Sequence, residues 1–342
     1  MCVTTCLRNV VQFTDMKTAF AYATDENYVK LTAVSLHSLL RANSGATVII
    51  LADGISTDSV DLFERIAARD GGVLRFLDAA AAIKRVKGTG AGGYVSFSAY
   101  SRLFLPDLVG DEFDRIVYLD GDTLVVSSLQ PLYELDLAGK PFAIGYDCLS
   151  NKYKKLVGLP PNAPYFNSGV LVMDVAEWRR RRCTERIFEY MEHVRHDFMF
   201  GDQDYFSLVL AGDVAILPPE YNFLTHFQMF KSRNAVLRAT GIPACTWYGE
   251  EQYAAAQRQP VIHHFLGHTL GRPWYRESLN PLRETYRRFA AEAGVPEVAE
   301  QSRPVEMCYR VQHLCWRLLP QPLFTLTARA MYEYFFRSRY GV

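Results

Sequence analysis

Two aspartates separated by a single glycine, Asp120-Gly121-Asp122, stand directly after the apolar run Ile116-Val117-Tyr118-Leu119. Side chains at a strand end alternate between faces, so Asp120 and Asp122 are expected to point the same way. Two carboxylates one pleat apart make a hard-oxygen site for a divalent cation and leave room for the phosphates of a substrate. Gly121 between them would let the backbone approach a ligand closely. An ordinary aspartate-rich turn would use the same residues. The apolar strand in front of them shifts the balance toward the cation.

Other polar residues stand where chemistry and plain structure compete. His264 lies on an apolar stretch, Val261 to Phe265, and would serve equally as a core histidine. Asn167 could satisfy backbone groups at a strand end. Asp202 could cap a helix, with Gln203 and Asp204 in its first turn, and Asp25 with Asn27 could form a turn. Arg179 to Arg182 reads as a solvated helix face and not as a nucleic-acid patch. Gly88-Thr89-Gly90-Ala91-Gly92-Gly93 fits the dinucleotide pattern G-x-G-x-x-G. That pattern works only between a strand and the helix it opens, and Ile83-Lys84-Arg85-Val86-Lys87 is no buried strand. The stretch from Lys84 to Gly93 is instead expected to be a mobile lid loop that closes over a ligand and excludes water.

The elements that must position these residues alternate. Thr18 to Ala23 is a short apolar strand, followed by a helix with Val29, Ala33, Leu36 and Leu40 on one face. Ala46 to Ala52 is a buried-strand run ending at the turn Asp53-Gly54. Ser56, Thr57 and Asp58 can cap the next helix, and Val73 to Leu77 makes a third strand. Ser98 to Leu105 reads as helical, and Arg115 to Leu119, Pro141 to Tyr146 and Tyr165 to Asp174 as strands. One long helix starts near Val175 and another at Asp202. This order implies an α/β fold, with a mainly parallel sheet, right-handed crossovers and flanking helices. Ligands of such sheets collect at the carboxyl ends of the strands.

At 342 residues and 49% hydrophobic content the chain can fill one large α/β core with an appendage, which excludes global disorder. Lys+Arg and Asp+Glu balance at 37 each, so overall charge does not point to nucleic acid. The scattered cysteines, Cys2, Cys6, Cys148, Cys183, Cys245, Cys308 and Cys315, lack zinc-site spacing and suggest free thiols in a reducing cytosol. No run has the roughly 18 apolar residues of a membrane span. Residues 1–15 lack a signal peptide's apolar stretch and are expected to be an extension. Past residue 275 the character changes to basic and aromatic. Cys308 to Leu319 could form an amphipathic helix lying on an anionic membrane surface, and packing back on the catalytic domain or an oligomer interface are the alternatives.

Taken in order over Thr18 to Trp274, the motifs resemble those of the family 8 glycosyltransferases, retaining enzymes with the GT-A fold. Ala23-Thr24-Asp25-Glu26-Asn27-Tyr28 resembles the first-strand motif that holds uracil and ribose. Tyr100-Ser101-Arg102-Leu103 resembles the donor-contacting arginine helix, Asp120-Gly121-Asp122 the metal motif, and Tyr146-Asp147 the sugar-contacting aspartate. Tyr165-Phe166-Asn167-Ser168-Gly169-Val170 is similar to F-N-[AS]-G-V, and Gly201-Asp202-Gln203-Asp204 to D-Q-D. His264-Phe265-Leu266-Gly267 followed by Arg272-Pro273-Trp274 is similar to H-x-x-G…K-P-W, with Arg272 where the family usually has Lys.

The resemblance implies transfer of galactose or glucose from a UDP-sugar to a saccharide or glycolipid acceptor, as in lipopolysaccharide synthesis. Asp120, Asp122 and His264 would hold the metal, and one imidazole beside two carboxylates suits Mn²⁺, with Mg²⁺ as a substitute. Arg272 and Arg102 would offset charge on the leaving diphosphate. Ala23, Thr24, Asp25, Asn27, Tyr28, Gly121, Asn167, Ser168 and Gly267 complete the donor site, with Asp25 and Asn27 bonding the uracil and ribose. Asp147 and Asp202 would bind hexose hydroxyls, and Gln203 would lie near the anomeric carbon. A neutral amide is a poor nucleophile, so attack on the leaving-group face fits at least as well as a covalent intermediate. The expected organisation is an extension over residues 1–15, a GT-A catalytic domain over 16–275 and a helical tail over 276–342. The expected location is the cytoplasm, peripheral on the inner face of the membrane, with no nucleic-acid partner.

Overall fold

The computed structural model describes residues 16–89, 96–194, 198–267, 269–302 and 307–340. Ten strands follow the chain: β1 (Thr18–Asp25), β2 (Thr47–Asp53), β3 (Val73–Asp78), β4 (Arg115–Leu119), β5 (Thr123–Val125), β6 (Phe142–Tyr146), β7 (Phe166–Asp174), β8 (Val214–Ile216), β9 (Phe223–Leu224) and β10 (Ile262–His264). Seven of them form one sheet in the order β3-β2-β1-β4-β7-β6-β8. Most neighbours are parallel, but β7 runs antiparallel to both β4 and β6. The reversal has a consequence for the site. It brings the start of β7, at Asn167, to the edge where β1, β4 and β6 end.

A smaller sheet, β5-β10-β9, stands across that edge. β10 pairs antiparallel with β5 so that His264 lies opposite Thr123, the residue after Asp122. This register, and no local signal, sets the histidine beside the aspartate pair.

Apolar side chains fill both faces of the large sheet. The Val29–Ala42 helix buries Ala33, Leu36 and Leu40 on one face, in a core shared with Tyr286 and Ala290 of the Arg283–Glu292 helix. The Thr57–Asp70 helix begins at Ser56, whose hydroxyl accepts the Ser59 amide, and stops at Gly71 in the left-handed conformation. The expected long helix after Val175 is two, Val175–Arg180 and Cys183–His193, broken at Arg182 with φ 52°. The break turns the chain so that Trp178 can donate from Nε1 to Thr184 Oγ1 at 2.9 Å.

The lid expectation also needs correction. Lys84 to Gly88 belongs to an Ala80–Gly88 helix, because Ala82, Ile83 and Val86 share a buried face. Residues 90–93 of the expected loop lie outside the described residues. Gly88 therefore closes a helix and follows no strand, which removes the dinucleotide reading of the glycine run.

The tail is helical, Met307–Leu318 and then Gln321–Tyr340. Phe324 and Ala328 are buried in a third core with Phe230, Val236 and Trp247. Burying one such phenylalanine contributes about 1.5–3 kcal/mol. The tail thus packs back on the molecule, yet Met307, Val311, Leu314 and Leu318 remain exposed along one stripe. Among the described residues no helix is long and apolar enough to cross a membrane, and every described cysteine is a free thiol.

Candidate active site

The polar groups converge where the ends of β1, β4 and β6 meet the start of β7. Asp120, Gly121 and Asp122 form the turn from β4 into β5, so a turn and not the strand pleat brings the two carboxylates together. A Cβ at Gly121 would lie 2.4 Å from Thr32 Oγ1. The glycine is needed because the turn rests on the Val29–Ala42 helix, and that contact, not ligand approach, fills the space.

His264 Nε2 lies 3.2 Å from Asp122 Oδ1 and 3.8 Å from Asp120 Oδ2. The nitrogen is buried and makes no hydrogen bond. Atoms of all three residues fall within 4.8 Å of one another. A Cβ at Gly169 would lie 2.0 Å from His264 Cε1 and 2.9 Å from Asp120 Oδ2, so only glycine permits this convergence. Burial pushes the His264 imidazole down, but the carboxylates of Asp122 and Asp120 outweigh it and hold it above its usual value. Burial raises Asp122, while His264 and Arg272 outweigh that and hold it low. Two acid oxygens and an unpaired imidazole nitrogen fit a divalent metal ion of the borderline class. His263 points away from this group: it stacks on Phe265 and meets the Phe223 ring, and burial pushes it down to about 4.

Beside this group runs an amide network. Asn167 Nδ2 donates to Asp147 Oδ2 at 3.0 Å and to Gln203 Oε1 at 3.1 Å. Gln203 Nε2 donates to Asp147 Oδ2 at 2.9 Å. Asn167 Oδ1 accepts from the Gly169 amide and from Asn222 Nδ2, and Asn222 Oδ1 faces His264 Nδ1 at 2.9 Å. Asp147, Asn167 and Gln203 are thereby tied to His264 by hydrogen bonds.

Arg102 is buried under the turn. Its Nη2 lies 2.9 Å from Asp120 Oδ1, its Nη1 donates to the Ser168 carbonyl at 2.7 Å, and its face covers the Tyr118 ring. Its Nε lies 3.2 Å from Asp202 Oδ2 but donates to the Ala99 carbonyl, which leaves that carboxylate oxygen without a hydrogen bond. Burial accordingly pushes Asp202 up to about 6 despite the nearby guanidinium. Asp202 opens the Asp202–Val209 helix, whose N-cap is Gly201. Asp204 accepts from Tyr153 and Tyr165 hydroxyls and the Phe200 amide, which makes it a structural anchor.

The chain belongs to glycosyl transferase family 8. The family model matches residues 19–278, most of the chain. Among curated relatives, general stress protein A of Bacillus subtilis (strain 168) is 26% identical over 269 residues, 77% of this chain and 89% of that protein. The lipopolysaccharide 1,2-glucosyltransferase of Escherichia coli is 28% identical over 225 residues, 63% of this chain and 65% of that one. The crystal structure of the galactosyltransferase LgtC in complex with donor and acceptor sugar analogues superposes with a TM-score of 0.65 at 24% identity, covering 86% of this chain and 99% of that one. The fold is that of these GT-A enzymes, and the activity of this family member is glycosyl transfer between a sugar-nucleotide donor and a saccharide acceptor.

The remaining family 8 motif residues line the same edge. Asp25 Oδ1 accepts the amides of Asn27 and Tyr28, and Oδ2 accepts from Ser96 and Ser98 hydroxyls. The turn reading of Asp25 holds for Oδ1, and the two serine hydroxyls occupy Oδ2. Ala23 and Thr24 close β1, with Thr24 Oγ1 accepting from Thr32 at 3.2 Å. The Arg272 guanidinium lies over the Trp274 ring, 5.4 Å from its centroid, and its charge acts on Asp122 and on the Tyr28 hydroxyl. Ser168 is buried beside Gln203, and Gly267 turns the chain after β10 with φ 79°. Arg179 to Arg182 are engaged in ion pairs with Asp111, Glu177, Asp213 and Glu189. Asn222 was not singled out by sequence reading. Its only signal was an amide directly before the apolar Phe223-Leu224, and nothing local ties it to His264.

Proposed function

We propose that this glycosyltransferase moves galactose or glucose from a UDP-hexose, with retention, to a saccharide acceptor in surface-glycan synthesis. The observation that carries the reading is the bare, buried Nε2 of His264 facing Asp122 and Asp120. Those residues would hold Mn²⁺, with Mg²⁺ as a substitute, which when bound neutralises charge developing on the UDP diphosphate.

The protein's own groups do the rest. Arg272, whose charge acts on Asp122, sets fixed positive charge beside the aspartate pair, where a diphosphate would need it. Arg102 keeps Asp120 in place, since its donors are already committed to Asp120, Ser168 and Ala99. Asp25, Asn27 and Tyr28 would hold the uracil and ribose. Asp147, whose carboxylate accepts from Asn167, Gln203 and the Cys148 amide, keeps lone pairs for a hexose hydroxyl. Gln203 Oε1 already accepts from Asn167. Its carbonyl oxygen is thus a weakened nucleophile, which favours acceptor attack on the leaving-group face.

The lipopolysaccharide glucosyltransferase among the relatives supports a surface-glycan role. So does the tail: Met307 and Leu318 are 73% and 70% exposed on a stripe flanked by the exposed Arg310 and Arg317. Such a stripe suits docking on the anionic cytoplasmic leaflet. The deciding experiment measures UDP release from a panel of UDP-sugars, with Mn²⁺ and with chelator. Release from no UDP-hexose, or release undiminished by chelator, would reject the reading.

A further inference from the structure

Beyond the donor site lies a pocket that the reaction as described does not use. Three segments distant in sequence form it: Ser150 to Lys152, Ala239 to Gly241 at the end of the Arg233–Thr240 helix, and Arg329, Tyr332 and Glu333 on the last helix. Its polar lining is incompletely paired. Ser150 is 5% exposed and stands at the N-cap of the Asn151–Leu156 helix, yet its hydroxyl makes no capping bond. Ser150 Oγ and Asn151 Oδ1 are both buried without a hydrogen-bond partner. Buried polar atoms are paired in folded proteins, and two orphans on residues that line one cavity point to a ligand that pairs them.

The pocket is also joined to the reacting centre. Ser150 follows closely on Asp147, the carboxylate held by Asn167 and Gln203. On the other wall the Tyr332 hydroxyl hydrogen-bonds His226 Nε2. The neighbouring Thr225 accepts the Leu266 amide and contacts the His264 carbonyl. The last helix is thus latched to β10, which carries the metal-ligand histidine.

We propose that this pocket binds the saccharide acceptor, holding the sugar unit behind the one that receives the hexose, and that the last helix is one wall of the acceptor site. The inference rests on the transferase reading above. Sugar hydroxyls both donate and accept, so one ring can satisfy Ser150 Oγ and Asn151 Oδ1 while the Arg329–Glu333 pair, 3.0 Å apart, offers a donor and an acceptor at the rim. The Tyr332 ring supplies the apolar face on which a sugar packs. An acceptor held this way would be selected by its penultimate unit.

Two variants test this, both outside the donor machinery. Ser150→Ala removes a hydroxyl that bonds nothing in the protein, so the Tm should be unchanged. Acceptor KM should rise about threefold to tenfold for one lost hydrogen bond. Asn151→Trp should fill the pocket and raise acceptor KM further. Acceptor-independent UDP release should stay at the unaltered rate in both. Lactose, maltose and cellobiose serve as probes, as acceptors in the assay and in saturation-transfer NMR with UDP and Mn²⁺ present. Saturation transfer from the unaltered protein to none of these sugars, or acceptor KM and NMR signal unchanged in both variants, overturns the pocket assignment while the donor reading stands. No UDP release by the unaltered protein would instead remove the transferase reading and this inference with it.

Discussion

Asn222 Oδ1 lies 2.9 Å from His264 Nδ1, and the orientation of that amide fixes which imidazole nitrogen carries the proton. The direction is set from the far end. Asp147 can only accept, so Asn167 must turn Nδ2 toward it and Oδ1 toward Gly169 and Asn222. Asn222 then presents Nδ2 to Asn167 and Oδ1 to the histidine, which donates from Nδ1 and leaves the Nε2 lone pair facing the aspartates. Asn222→Ala should lower Mn²⁺ affinity by about 10–100-fold, the usual effect of removing a partner that orients a ligand. Titration of the apoprotein with Mn²⁺, followed by the loss of free-ion EPR signal, reads this without turnover. Affinity within twofold of the unaltered protein would show that Asn222 does not orient the ligand.

The aspartate pair is tested more directly. Asp120→Asn or Asp122→Asn should cut transfer by at least about 10²-fold, the scale of losing a main electrostatic contributor. Far-UV circular dichroism should be unchanged. Near-native turnover in either variant would remove the metal assignment.

Arg102 is the buried counter-charge of Asp120 and Asp202. Arg102→Met should destabilise the fold by about 3–5 kcal/mol, because two carboxylates lose their compensation in a buried site. Urea unfolding measures this. Were Arg102 mainly a donor contact, the midpoint would scarcely move while donor KM rose.

Asp204 makes a pH test. Burial pushes its carboxyl up to about 6, above the unfolded value of about 3.9. The folded state therefore binds the proton more tightly, and this contribution is full below pH of about 4 and lost as pH rises through about 6. Asp204→Asn can keep all three contacts, with the Tyr165 hydroxyl turning to accept. The stability difference, variant minus unaltered protein, should grow from pH 4 to pH 7 by thermal melts. A difference independent of pH would contradict the raised pKa.

The exposed stripe of the Met307–Leu318 helix carries the membrane prediction. Leu314→Asp with Leu318→Asp should reduce co-flotation with vesicles containing anionic lipid while leaving UDP release in solution unchanged. Truncation before the tail is a poorer test, because it would uncover the core around Phe324 and Ala328. Equal flotation of the double variant would show that this stripe is not the anchor.

Much of the molecule was legible from sequence because it is encoded locally. The apolar face of the Val29–Ala42 helix, the Ser56 cap and the buried run before Asp120 each depend on residues within a turn or two. The motif set pointed to the family in the same way, since each motif is a short contiguous string. Tertiary structure alone decided what the strings do to one another. The antiparallel course of β7 is a pairing of distant strands that no alternation of strand and helix reveals, and it is what brings Asn167 to the site. His264 is set apart from His263 by the register of β10 on β5, where neighbouring side chains take opposite faces. Asn222 meets His264 across 42 residues of chain, and Arg102 meets Ser168 across 66. Ser150 and Tyr332 share a pocket only because the last helix folds back. In every case the contact energy comes from groups that the chain must first bring together, so spacing along the sequence carries no record of it.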